Sequence, residues 1–364
     1  MATALPPLDT RSVGAAAAAR PRRRRRADVA GWCGVALGAA SLVWVFHAED
    51  GLTVLRGVFE RLGPRWPWLL VPYVLTGGLT VWAYRAALPG RGHAVPLRAL
   101  VHAERSGFIL NSLLPLANYG GNLAKVTLLR HWYSGAEILA AGAWGALATG
   151  LTNSLAAIGP FVALAVGFAD PRAAALLGIA ALLTAVPATV ALVLLRFGLA
   201  AKVTALLRHV PRLVSEERRS RWLGRARDFD RHLASAVGER RGDFAIHVLL
   251  KALVQASRIA EVWLVITLLG LPGGLLAALL FHAVSRTTGQ VLSFVPGQLG
   301  VLEGSAMLGF AALGFTPEDG LAIALALRFH FFVNVLVSGT ALATASRVLA
   351  KYPPLARPRE VFAP

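Results

Sequence analysis

The chain has 364 residues, 56% of them hydrophobic, with a mean hydropathy of +0.59. That is well above the roughly half-apolar usage of soluble domains and points to a membrane protein. A formal charge of +18 on a soluble fold would suggest nucleic acid, but here the Arg residues sit between apolar spans and at the two ends, so anionic lipid headgroups are the expected partner. The single cysteine, Cys33, excludes an intrachain disulfide and a thiolate metal cluster.

Residues 1–28 are Ala/Pro/Arg-rich and end in a run from Arg22 to Arg26, which reads as a disordered basic cytoplasmic tail. A transmembrane domain is expected over 29–346. Its first span is 29–47, where Phe46 disfavours signal cleavage after Ala48. The second is 66–88, with Trp66, Trp68 and Trp82 as interfacial anchors.

The stretch 111–125, NSLLPLANYGGNLAK, stops being a helix in its middle. Pro115 removes a donor, and Gly120 and Gly121 favour irregular backbone. Lipid cannot satisfy the freed backbone groups, so such a break must lie inside protein or line a wet cavity. Residues 138–168 are too long for one straight span at about 20 residues per crossing, and Gly159-Pro160 is expected to bend or end it. Residues 173–197 return. The polar insertion 198–243 reads as an amphipathic helix at the cytoplasmic surface through Leu206, Leu207, Val210, Leu213 and Val214, or as a solvated basic linker.

A span follows at 244–269, then a turn at Leu271-Pro272-Gly273-Gly274. A second interrupted stretch, 292–304 (LSFVPGQLGVLEG), breaks at Pro296, Gly297 and Gly300, and the last span is 321–345 before a basic tail, 347–364. The two breaks align: Ser112 to Pro115 on Ser293 to Pro296, Gly121 to Leu123 on Gly300 to Leu302. Paired Pro/Gly-interrupted segments at corresponding places point to a transporter site. With basic flanks held cytoplasmic, the expected fold is all-α: about six full spans plus two broken re-entrant hairpins in inverted repeats, both termini cytoplasmic.

A charge at the centre of a lone span costs roughly 2.5–3.5 kcal/mol, so intramembrane charges need interior partners. Lys251 and Arg258 share a helical face, and Glu261 is placed to pair with Arg258. They form a cationic wall for an anionic headgroup or an internal ion pair. His282, Arg286, Gln290 and Ser293 make a polar stripe ending at the second break. His330, Asn334 and Ser338 make another, best explained by interhelical hydrogen bonds. Asn111, Asn118, Asn122 and Lys125 supply donors at the first break, where the returning half-helix directs its dipole inward. Glu303 opens the second returning half-helix as a cap or as a titratable coupling group. No nucleotide-binding, hydrolase or metal-protease motif is present, so neither cofactor nor metal is expected and no catalytic residue is assigned.

Three segments carry a resemblance: LLPLANYGGNLAKVTLL (113–129), FVPGQLGVLEG (294–304) and FTPEDGLAIALALR (315–328). They resemble the flippase-like transmembrane domain of lysylphosphatidylglycerol synthases, and the first is also similar to members associated with hopanoid biosynthesis. The resemblance implies a polytopic protein of the bacterial inner membrane that moves a polar-headed lipid between leaflets. Pro115, Gly121, Pro296, Gly297, Gly300, Glu303 and Arg328 are its family-type positions. Members often carry a Glu-Arg pair where this chain has Asn122 and Lys125, and no soluble aminoacyltransferase domain is seen, so lysyl transfer is not expected. The expected activity is translocation of an anionic or polar-headed lipid through Lys125, Lys251, Arg258 and Arg286. The alternatives are a membrane transferase using a polyprenyl-linked donor, and a non-catalytic scaffold for lipid-synthesis enzymes.

Overall fold

The computed structural model describes residues 51–113, 119–167, 216–235, 238–291, 300–312 and 315–349, with single positions at 179, 186, 189 and 298. Ten helices lie within these residues: α1 (Gly51–Leu62), α2 (Leu70–Ala87), α3 (Leu97–Leu113), α4 (Tyr119–Leu129), α5 (Gly135–Gly167), α6 (Glu216–Ala234), α7 (Arg241–Leu268), α8 (Gly274–Val291), α9 (Val301–Ala312) and α10 (Pro317–Leu349). No strand occurs among the described residues, so the fold is all-α there. The expected first span, the return at 173–197 and the apolar stripe of 206–214 lie outside them.

Local sequence explains the ends. Ser134 and Glu137 form a reciprocal cap at α5: the Ser134 N–H donates to the Glu137 carboxylate at 2.7 Å, and the Glu137 N–H to the Ser134 hydroxyl at 3.3 Å. At α10 the Asp319 N–H donates to the Thr316 hydroxyl, with Pro317 as first helical residue and Glu318 and Asp319 in the first turn. Helix α7 stops where Gly270 takes φ +68: its N–H donates to the Thr267 carbonyl, and the Leu271 N–H to that of Ile266.

Two expectations change. Gly120 and Gly121, expected to lie in irregular backbone, are helical residues of α4. What Gly121 supplies is close approach. A Cβ on Gly121 would stand 2.6 Å from the Gly107 carbonyl oxygen of α3, and the Gly121 N–H donates to the Asn111 side-chain oxygen at 2.6 Å. Gly121→Ala is therefore expected to destabilise by about 1–3 kcal/mol through overpacking, read as a lowered Tm in detergent; an unchanged Tm would contradict the packing role. Second, α5 runs unbroken through Gly159-Pro160 to Gly167. A proline removes one intrahelical donor and crowds the preceding turn, which weakens a helix without ending it when apolar helix formers continue on both sides. Trp66 and Trp68 also precede the span, in a 3-10 turn over Gly63–Leu69, and are exposed with Trp82.

Helix α7 is built inside out. Ile246, Leu249, Leu253, Ala256, Ala260 and Trp263 form its exposed face, while His247, Gln255, Ser257 and Glu261 are buried. A helix in water does the reverse, so the surrounding solvent is apolar. Helix α10 contains a 29-residue window, Pro317–Ala345, long and apolar enough to cross a membrane, and it alone passes that test among the described residues. Helices α4 and α9 have 11 and 12 residues, about 16–18 Å of rise, short of a hydrocarbon core about 30 Å thick.

Helices α2 and α7 form the central pair, joined by Thr76 to Ser257 at 3.0 Å and by His247 Nδ1 to the Ala83 carbonyl at 2.6 Å. Around it α3 packs on α4 and α10, while α8 packs on α9 and α5. These pairings map onto one another when α2 to α5 are exchanged with α7 to α10, which puts the first arm of each interrupted stretch against the last long helix of the other half.

A polar clamp fixes one end of the central pair. The Arg240 guanidinium donates to the carbonyls of Ala86, Ala87 and Leu88 at 3.3, 3.2 and 2.7 Å, capping α2, and Asp243 bridges Arg240 and Arg91 at 3.2 and 2.7 Å. Partial burial alone would raise the Asp243 carboxyl, but hydrogen bonds from Arg91 and Arg240 outweigh it and hold the pKa below the ordinary value of 3.8. Its stabilisation is thus fully present above the unfolded value and lost as pH falls through the lower folded one. The Tm advantage of the natural protein over Asp243→Asn should shrink as pH is lowered past about 4; an advantage that grows on acidification would contradict the clamp.

Candidate functional site

The buried face of α7 carries Lys251, Arg258 and Glu261, and α8 faces it with His282 and Arg286. Lys251 lies within the electrostatic reach of Lys125, Arg258 and Arg286 as well as of Glu104, and Arg286 within that of Arg258. Among the described residues Lys251, Arg258 and Arg286 have no carboxylate within ion-pair distance, and Arg286 Nε, His282 Nε2 and Ser285 Oγ are buried without a hydrogen-bond partner. Like charges packed together with donors unspent cost stability rather than supply it.

The first break is neutralised differently. Lys125 pairs with Glu104 at 2.7 Å, both nearly buried, with its ammonium 4.1 Å from the centroid of the Tyr84 ring. The Asn111 side-chain oxygen accepts from the Gly121 N–H and so caps α4. Asn122 packs against α5, where a Cβ on Gly142 would meet its carboxamide at 2.8 Å. Asn111 and Asn122 thus hold α4 to its neighbours.

At the second break Gln298 and Gly300 adopt φ +51 and +76, backbone that favours glycine and sets the re-entry into α9. Glu303 and Arg328 meet in a bidentate pair at 2.5 and 2.9 Å, 4% and 5% exposed, and Arg328 also donates to the Gln298 carbonyl at 2.7 Å. The Gln298 amide reaches back to the Gly289 carbonyl of α8. The sequence singled out both Glu303 and Arg328; the structure brings them together as a fastening of α9 to α10.

Glu261 departs from expectation. Its carboxylate lies 2.5 Å from His330 Nδ1 on α10, an ion-pair contact rather than an aligned hydrogen bond, instead of pairing with Arg258. Tyr73 stacks on His330 with ring centroids 5.9 Å apart, and its other neighbour is Arg105, whose guanidinium donates to Asn334 at 2.8 Å and to the Tyr73 hydroxyl at 3.3 Å. Asn334 thus accepts across helices from Arg105 and from the Tyr73 hydroxyl, and within α10 from Ser338, so the stripe on the last helix serves interhelical hydrogen bonds through Asn334. Glu104 and Arg105 were absent from the sequence-derived site. Their signal was a Glu-Arg pair inside what proves to be the helix Leu97–Leu113. Pro115, Asn118, Pro296 and Gly297 lie outside the described residues, as does the Gln290 side chain.

A fold that is all-helical among the described residues, with an apolar exterior and a charged interior, is a membrane protein by class. A family model described as "Lysylphosphatidylglycerol synthase TM region" matches residues 31–339, and the chain belongs to that family. No curated protein and no solved structure matches it.

Proposed function

We propose that the protein is a lipid translocase that carries an anionic or polar-headed lipid between the leaflets of the bacterial inner membrane. The observation that carries this reading is the group Lys251, Arg258 and Arg286, cations inside a membrane fold without a carboxylate in contact among the described residues. Holding them there is unfavourable unless a negatively charged ligand visits. The short returning helices α4 and α9 support two re-entrant hairpins, and the exchange of helix pairings supports an inverted repeat around the central α2–α7 pair. A transferase would instead need convergent carboxylates, and Glu104, Glu261 and Glu303 each face a basic partner of their own.

The test is reconstitution into vesicles carrying a trace of fluorescent phosphatidylglycerol, followed by quenching from outside. The expected result is that the inner-leaflet half becomes accessible, with a zwitterionic analogue moving more slowly. Quenching identical to protein-free vesicles for both lipids would overturn the reading.

A further inference from the structure

Glu261 stands between two basic groups of different character. Arg258, one turn earlier on α7, is permanently charged and lies within the carboxylate's electrostatic reach. His330, across the interface on α10, is in contact with it and carries charge only when protonated. The carboxylate is nearly buried, 7% exposed, while the imidazole is 27% exposed, with its Nδ1 buried against that carboxylate. The surrounding ionisable groups are Tyr73 from α2, stacked on His330; Arg105 from α3, bound to Tyr73 and Asn334; His282 and Arg286 from α8, near Arg258; and Glu303 with Arg328, paired to each other.

We propose that His330 and Glu261 form a proton-binding site that decides whether Arg258 is open to an anionic headgroup. This rests on the translocase reading above and adds a coupled ion to it. With His330 protonated, the Glu261 carboxylate is held by a full charge on α10, and Arg258 keeps its charge for a phosphate. With His330 neutral, the strongest cation near Glu261 is Arg258, and the carboxylate competes with the headgroup for it. Proton uptake from water at His330 and headgroup binding at Arg258 then favour each other, and the coupling is reciprocal. Headgroup binding then draws at most one proton from water onto His330, with no other bond made or broken.

The experiment uses purified full-length protein in detergent and dihexanoyl phosphatidylglycerol, a phosphodiester whose charge is constant over the range examined. Its affinity is measured at pH about 5.5 and about 8, on either side of the ordinary imidazole range. The natural protein is expected to bind about tenfold more tightly at the lower pH. His330→Gln should bind weakly at both values because Glu261 is left to Arg258. Glu261→Gln should bind tightly at both because the competitor is gone. A merely structural pair would lose affinity alike in the two variants, and that result, or a pH-independent natural protein, overturns the proposal. Absence of binding at both pH values would instead overturn the translocase reading. The proton site is then judged by NMR titration of isotope-labelled His330: identical curves in the natural protein and Glu261→Gln refute it, and a downward displacement in the variant supports it.

Discussion

Glu303→Ala is expected to lower stability by about 3–5 kcal/mol, because it strips a buried guanidinium of its bidentate carboxylate. Arg328 would keep the Gln298 carbonyl at 2.7 Å, a neutral acceptor that cannot match its charge. The loss should appear as a Tm reduction in detergent and as earlier proteolysis between α9 and α10. Removing both charges, as in Glu303→Leu with Arg328→Met, should recover much of it, since an apolar pair of similar volume has no stranded ion. A Tm for Glu303→Ala equal to that of the natural protein would contradict a fastening role.

The second large effect runs the other way. Arg286 faces Arg258 and has a buried Nε without a hydrogen-bond partner, so replacing it with leucine relieves repulsion and desolvation together. Arg286→Leu is expected to raise Tm while reducing lipid translocation by about tenfold or more, the usual exchange between stability and function at a working site. A structural arginine would show a fall in both quantities. A raised Tm with undiminished transport would mean that the charge serves neither purpose.

Much of this was legible in the sequence, and the exceptions share a cause. Helical spacing placed Lys251, Arg258 and Glu261 on one face of α7, and Gly300 does take a positive φ just before α9 begins. Partners across helices were not legible, because spacing along one helix says nothing about what the neighbouring helix presents. Glu261 therefore seemed to belong to Arg258 three residues away, whereas packing of α7 on α10 brings His330 to it. Glu104 and Arg105 were hidden by reading basic residues before Asn111 as a cytoplasmic flank, when helix α3 already begins at Leu97. Gly120 and Gly121 looked like a break because glycine weakens isolated helices. In the folded chain Gly121 allows α3 and α4 to touch, and packing outweighs propensity.

The most direct measurement of the central idea, that unpaired interior cations receive a lipid headgroup, is the phosphatidylglycerol translocation rate of Arg258→Ala against the natural protein in the same vesicles. The account predicts a fall of about tenfold or more, the scale expected for a lost charge-assisted contact, with folding intact by Tm. An unaltered rate would contradict it.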